Sequence, residues 1–413
     1  MHKRKDNLAA LLFLLGFMFA VLGFAAGVNA FFIQFVKDAF KISTGMSYLV
    51  MTATYSAFIL FGIPSGLILK KIGYKGGMAV GTILIGLGFL IIGLSGKMAN
   101  FPVFLVALFV SGMGQSLLMG AQSTYIVIIG SRESALRRGA LMGICHKTSF
   151  AAASLILSGF LDLTDVHVED VITPFYIISG IMVLLGIIIV FFVPLPEVNE
   201  EGENEKPESS GKSAFAGPKT SIFQFPHLLM GFFALFLYIG GEFIAMGSIN
   251  DYATALNLPH SANYVWLASG GMVVGYIAGI ILTPKYVSMR QASIICSYLG
   301  IAVTILIYIT PDEINIYMVG LLGLANSLLY SSIWPLAIAG LGKFTKTGTS
   351  ILVMSITGGA IIPLLFGHIV ELYSYRTAYL ICLPIFVFTL YYAIQGYKIR
   401  NFFESNQDGR LEA

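Results

Sequence analysis

Charge is the first thing this chain has little of. Only 11% of its 413 residues are Asp, Glu, Lys or Arg, whereas 57% are hydrophobic. A water-soluble domain carries about a quarter charged residues, so this composition excludes one and expects lipid as solvent. Cysteine is scarce too. Cys145, Cys296 and Cys382 all lie inside apolar runs, which gives neither a disulfide framework nor a metal-ligand spacing and leaves core packing as their role. There is no Walker loop, the phosphate cradle an ATP-driven pump needs, and no His/Cys/Asp cluster at metal spacing. GSRES at 130–134 and GLGKFTKTG at 340–348 offer glycines and hydroxyls, but in short turns without strand context. The chain is therefore not expected to be an enzyme, and no cofactor, metal or nucleic-acid partner is expected.

What the chain does have is apolar length. Twelve segments approach or exceed the ~20 residues that a spanning helix needs. They lie near 9–36, 45–69, 76–96, 101–130, 139–161, 173–194, 227–254, 263–284, 291–310, 315–341, 348–371 and 377–398. The first has the basic head of a signal peptide, MHKRKDNLAALLF. Its apolar run continues to Val36, well past the roughly 7–15 residues of a cleavable core, so it reads as a membrane helix. Between the sixth and seventh segments lies PEVNEEGENEKPESSGKSAFAGPKT, acidic and without periodicity, a disordered linker by composition. The expected division is a six-helix bundle over 1–195, a cytoplasmic linker over 196–224, a second six-helix bundle over 225–400 and a cytoplasmic tail over 401–413. An equal split across a polar linker is what a duplicated transporter fold produces.

Basic residues orient the spans. Of the 24 Lys and Arg, only Lys37, Lys41, Lys97 and Arg376 fall opposite the N-terminus, and Lys147 lies within a helix. The rest share the N-terminal side, which places both termini in the cytoplasm.

One stretch organises the remaining polar residues. In FLYIGGEFIAMGSINDY, 236–252, Glu242 sits mid-run behind paired glycines and ahead of Ser248 and Asn250. A carboxylate at bilayer depth costs a few kcal/mol or more, so such acids generally serve a pathway, the alternative being a structural acid paired to a neighbouring helix. Asn326, Tyr330 and Trp334 recur every fourth residue and read as one helical stripe. An amide, a phenol and an indole suit a sugar, with hydrogen bonds for hydroxyls and a flat face for ring C–H bonds; the alternative is ordinary packing or interfacial anchoring. Asn29 interrupts the first apolar run, and Gln115, Met119 and Gln122 share a face of the fourth. Asn29, Gln122, Asn250, Asn326, Tyr330 and Trp334 are the candidate substrate residues. Glu242 is the candidate proton carrier, with His146 and Lys147, two turns into the fifth span, as secondary ones. Lys147 either snorkels to the cytoplasmic mouth or pairs with an acid.

Several stretches carry a family resemblance: GVNAFFIQFVKDAF (27–40), PSGLILKKIGYKGGMAVG (64–81), GICHKTSF (143–150), FLYIGGEFIA (236–245), GYIAGIILTPKYVS (275–288) and IWPLAIAGLGKFTKTGTSILVMSITGGAIIPLLFG (333–367). Together they resemble the major facilitator superfamily, and within it the bacterial fucose–galactose–glucose:proton symporters, glucose/galactose branch. The resemblance implies an all-α integral membrane protein with twelve transmembrane helices in two six-helix bundles. Helices one, four, seven and ten would line a central cavity, and a neutral monosaccharide would move with protons. Tyr330 falls where the fucose branch has a substrate-facing tyrosine, and Asn29 resembles the second residue of its Leu-Asn motif, with Val28 for the leucine. The departures concern acids. Ala30, Met119, Gly247 and Ala339 stand where relatives carry carboxylates, and His146 replaces the asparagine of an Asn-Lys pair. Glu242 is left with little acidic company.

The function expected is a secondary active importer of a hexose such as glucose or galactose, or a fucose-like sugar, acting as a monomer in the bacterial inner membrane. An uncoupled carrier or exporter of another neutral solute, or a non-transporting sensor, remains the alternative. Protease admitted from the cytoplasmic side is expected to cut first within 196–224; first cleavage there from the opposite side would reverse the topology.

Overall fold

The protein's structure, a computed structural model, describes residues 2–42, 46, 49–131, 134–161, 167–193, 195, 220–259 and 264–399. Most of the expected linker and the 401–413 tail lie outside the described residues. Every regular element is helical among those described. The chain divides into two compact units. One comprises Met1–Gly130 and Arg138–Val198, the other Ser131–Arg137 and Asn199–Ala413.

The first unit holds α1 (His2–Ala39), α2 (Leu49–Leu60), α3 (Gly62–Met98), α4 (Phe101–Ile128), α5 (Ala135–Ser158) and α6 (Ile172–Phe192). α3 is broken at Gly73, whose φ of 73° belongs to a region only glycine enters freely. Asn100 starts α4 by accepting the Val103 N–H at 3.0 Å, with a proline in the first turn. Buried Arg138 closes its far end, donating to the carbonyls of Ile126 and Val127 at 2.8 and 2.9 Å. The core of this unit is aromatic. Phe32 of α1 meets Phe104 at 4.8 Å and Phe175 at 5.1 Å between ring centres, which fixes α1 against α4 and α6 directly beyond Asn29.

The second unit holds α7 (Pro226–Gly247), α8 (Ile249–Ala255), α9 (Val265–Leu282), α10 (Met289–Ile309), α11 (Asp312–Asn326), α12 (Leu329–Ile338), α13 (Thr345–Met354), α14 (Gly358–Leu372), α15 (Tyr375–Ala378) and α16 (Cys382–Ile394). Several expected spans are therefore interrupted. The 227–254 segment breaks at Ser248, 315–341 at Ser327 and Leu328, and 348–371 at a tighter turn over Ser355–Thr357. In all, ten helices or helix pairs among the described residues are long and apolar enough to cross a membrane. Ile314–Ile338 is the least apolar of these and the most buried.

Without a hydrophobic drive between helices in lipid, close approach through small residues does the packing. Gly271, Gly275 and Gly279 form a stripe on α9, and a Cβ on the first two would press into Leu324, Gly320 and Ser327. A Cβ at Gly323 would meet the Ala268 carbonyl oxygen, and one at Gly358 that of Phe236. Gly323→Ala is accordingly expected to destabilise the α9–α11 contact by about 1–3 kcal/mol. A lower melting temperature in detergent is the readout, and an unchanged one would show that the backbones stand further apart.

Candidate functional site

In the second unit the polar residues gather around α7, α9 and α12. Glu242 is 7% exposed and is the one buried acid among the described residues. It sits one turn beyond Tyr238, whose hydroxyl donates to its Oε2. The spacing of four puts both on one face of α7. The glycines between them serve another face, Gly240 lying against Ile362 of α14 and Gly241 against Ile385 of α16. The Tyr238 ring lies 6.4 Å from that of Tyr330, which lies 5.4 Å from the Trp334 indole, tilted by 35°. Tyr276 of α9, also buried, is within electrostatic reach of both Glu242 and Tyr330. A carboxylate and four aromatic side chains from three helices thus share one locality.

The expected stripe of Asn326, Tyr330 and Trp334 is corrected in its geometry. Asn326 closes α11, residues 327 and 328 turn, and Tyr330 and Trp334 belong to α12. The spacing of four is that of an unbroken helix, and this one is broken. Serine hydroxyls add to the backbone bonds around this break, where the Leu324 carbonyl also accepts the Ser327 N–H and the Leu328 carbonyl the Ser332 N–H. Ser327 Oγ donates to the Leu324 carbonyl at 2.8 Å, and Ser332 Oγ to those of Leu328 and Leu329 at 2.8 and 3.0 Å. Pro335, with no N–H to give, adds a second irregularity one residue after Trp334.

Asn326 Oδ1 and Nδ2 and Trp334 Nε1 are buried and have no hydrogen-bond partner among the described residues. The first unit repeats the pattern. Both side-chain polar atoms of Asn29, on α1, and of Gln122, on α4, are buried and equally unpartnered. Native interiors pair the large majority of such groups, so amides left this way need a ligand, water or another explanation. Their neighbours show the contrast: Gln115 Nε2 donates to Ser111 Oγ at 3.2 Å, and Asn315 Oδ1 accepts the Tyr252 hydroxyl at 2.7 Å.

The other candidates are placed differently. Asn250 lies on α8, past the α7 break, and its Oδ1 accepts the Val265 N–H at 2.8 Å, tying α8 to the start of α9. His146 and Lys147 are half-buried on α5. Lys147 Nζ sits 5.9 Å from the centre of the Phe150 ring on its own helix, a cation–π contact worth about 0.5–1 kcal/mol where exposed. Glycines bring α1 against this stretch, since a Cβ at Gly23 would meet the His146 carbonyl and one at Gly27 that of Phe150. Tyr238 and Tyr276 are the residues that sequence reasoning missed. The signal for Tyr238 was its interval of four from Glu242; Tyr276, in an apolar run, carried none.

Among the described residues, ten apolar spans, one buried acid and buried amides that make no protein hydrogen bond define a polytopic membrane protein with buried polar groups in each unit. The chain belongs to the Major Facilitator Superfamily, which matches residues 13–356. It is 28% identical over 397 residues to the "Glucose/galactose transporter" of Brucella abortus, covering 92% of each chain. It is 24% identical over 392 residues to the "L-fucose-proton symporter" of Escherichia coli, covering 87% of this chain and 86% of that one. Among solved structures it resembles a crystal structure of the Major Facilitator Superfamily transporter FucP in the outward conformation. The TM-score is 0.78 at 20% identity, over 92% of this chain and 97% of that chain, a likeness of fold.

A buried amide that no protein group satisfies is a cost to the fold, so removing it tests whether it is there for a ligand. Asn326→Leu is expected to melt no lower than the wild type in detergent. Asn315→Leu, which takes a partner from Tyr252, is expected to lose about 1–3 kcal/mol. Equal destabilisation by the two variants would make Asn326 a structural residue.

Proposed function

We propose that this chain is a secondary transporter that imports a monosaccharide, a hexose such as glucose or galactose or a fucose-like sugar, by alternating access and with protons. The observation that carries the reading is the set of unpartnered buried atoms on Asn326 and Trp334, with the Tyr330 ring between them in sequence. An amide that both donates and accepts matches adjacent hydroxyls, and an indole beside a phenol offers a flat face and an N–H donor to a pyranose ring. Asn29 and Gln122 supply the same chemistry in the first unit. A neutral polyol fits these groups better than a charged solute, because none of the five carries charge. The names of the curated relatives, sugar transporters along nearly the whole chain, support the same substrate class.

The architecture we assign is twelve spans. Joining α2 to the part of α3 before Gly73 as one span, taking the rest of α3 as the next and adding α5 brings the ten apolar spans to that number. The two bundles are taken as 1–195 and 225–400, joined by the 196–224 linker, with 401–413 as tail. The chain is assigned to the bacterial inner membrane as a monomer, with both termini cytoplasmic on the distribution of its Lys and Arg.

Coupling is assigned to Glu242, with His146 and Lys147 as secondary candidates. A second reading, an uncoupled carrier, is favoured by the lack of other buried acids among the described residues. One variant separates the two. Glu242→Gln keeps the shape of the protonated acid but cannot cycle a proton. In proteoliposomes it is expected to go on exchanging labelled galactose in counterflow yet fail to concentrate it against an inward proton gradient. Accumulation at the wild-type level by this variant would move the coupling to another residue, and a wild-type protein that exchanges galactose without concentrating it would establish the uncoupled reading. Loss of exchange and accumulation together would make Glu242 a sugar ligand.

A further inference from the structure

Proton coupling needs more than an acid and a sugar site. The state of one has to be felt by the other, and a coupling free energy requires a contact that differs between the occupied and unoccupied protein. The chain of side chains in the second unit supplies one. Trp334 and Tyr330, one turn apart on α12, are in ring contact. Tyr330 is in ring contact with Tyr238 of α7, and the Tyr238 hydroxyl holds Glu242 Oε2. Tyr238 touches both ends. It is 1% exposed, so its ring has little room to respond to Tyr330 without carrying the hydroxyl with it. Titratable groups near this cluster among the described residues include Tyr276 of α9 and Tyr330 of α12, with Cys296 of α10 next to Tyr276.

We propose that Tyr238 is a positioning residue that transmits sugar occupancy at Tyr330 and Trp334 to the protonation of Glu242. This rests on the reading of the chain as a proton-coupled sugar carrier. A sugar ring seated on the Tyr330–Trp334 face shifts the Tyr330 ring, Tyr238 follows, and its O–H leaves Glu242 Oε2. The step that follows is a simple protonation. A proton from the outer compartment forms an O–H bond at Glu242, the Tyr238–Glu242 hydrogen bond in its present sense is lost, and no other covalent bond changes. On the inner side the sugar leaves, Tyr238 returns to the carboxylate, and the proton departs to the cytoplasm. The spacing of four between Tyr238 and Glu242 makes this possible, because residues four apart lie one above the other on a helix face, whereas residues one or two apart do not.

The test is Tyr238→Phe, which keeps the ring contact and deletes the donor, compared with wild type and Glu242→Gln in proteoliposomes with labelled galactose and glucose. Three quantities are read: counterflow exchange, accumulation under an inward proton gradient, and protons taken up per sugar on adding sugar to de-energised vesicles. A fourth is the pH dependence of sugar affinity in detergent. The expected result for Tyr238→Phe is exchange within about twofold of wild type, accumulation reduced roughly tenfold or more, and a sugar affinity that no longer follows pH. A residue that merely packs would not flatten that profile.

Normal accumulation and pH dependence in Tyr238→Phe, with Glu242→Gln uncoupled, overturns this inference and leaves the carrier reading intact. Loss of exchange together with accumulation overturns it as well, since Tyr238 would then be part of the sugar site itself. A wild-type protein that neither exchanges sugar nor responds to the gradient overturns both. Should Tyr238→Phe fail to fold, Tyr238→Gln keeps a donor but loses the ring and so cuts the same link at its other end. Exchange without accumulation then supports the link, and retained accumulation removes it.

Discussion

Hydrocarbon offers no hydrogen bonds, so a chain that crosses it must satisfy its own backbone, and the rest of this structure depends on how it does so. Unbroken helices meet the requirement at once. The functional helices are not unbroken, and at three interruptions side-chain hydroxyls add to the backbone hydrogen bonds of the preceding turn. Ser248 Oγ donates to Ile244 at the end of α7, Ser327 Oγ to Leu324 at the end of α11, and Ser355 Oγ and Thr357 Oγ1 to Leu352 and Met354 between α13 and α14. These side chains let backbone irregularity persist at depth, and the irregularity turns Asn326 and Tyr330 onto separate helix segments. The polar site is thus a product of the way the backbone is satisfied.

Glycine supplies the complementary condition. α9 and α11, α7 and α14, and α1 and α5 approach until a methyl group at the contact would strike a carbonyl oxygen or a neighbouring side chain. Such contacts gain dispersion energy over the backbone itself and do not depend on large interlocking side chains. The bulk that fills the interior is aromatic and sits elsewhere. In the second unit it gathers where Tyr252 stacks on Tyr375 at 5.0 Å and Phe366 meets Tyr379 at 5.0 Å, with Ser248 bonded to the Tyr379 hydroxyl at 2.8 Å. That cluster braces the end of α7 against α14 and the 375–381 turn, close in sequence to the break that carries Asn250 away from Glu242.

Much of this was legible in the sequence. Apolar length is what lipid selects for, so helices such as Val265–Leu282 and Met289–Ile309 overlie the expected segments closely. Glu242 was legible because a carboxylate in such a run has to be explained. The breaks were not, because a serine that bonds the carbonyl three or four residues back alters hydropathy hardly at all. Asn250 looked like a companion of Glu242 from eight residues away, yet a helix end lies between them and its amide serves the start of α9. Tyr238 was hidden for the opposite reason: a tyrosine in an apolar run reads as core until its hydroxyl is seen on the carboxylate. The amides of Asn29, Gln122 and Asn326 could be noticed in sequence, but their lack of protein partners is a property of three dimensions.

The span that carries Asn326, Tyr330 and Trp334 is also the least apolar and the most buried of those described. Seen from the ribosome, that combination makes the order of synthesis part of the structure. A marginally apolar segment with Asn326, Ser327, Ser331 and Ser332 from its middle onward and Pro335 near its end partitions into lipid less readily than its neighbours. When it emerges, α7 and α9 have already been made, and the glycine face of α9 is available to shelter it. A rearranged gene that delivered 312–338 to the membrane ahead of those helices would present the same residues to bare lipid. Biogenesis of this protein thus depends on its helices arriving in the sequence in which their partners need them.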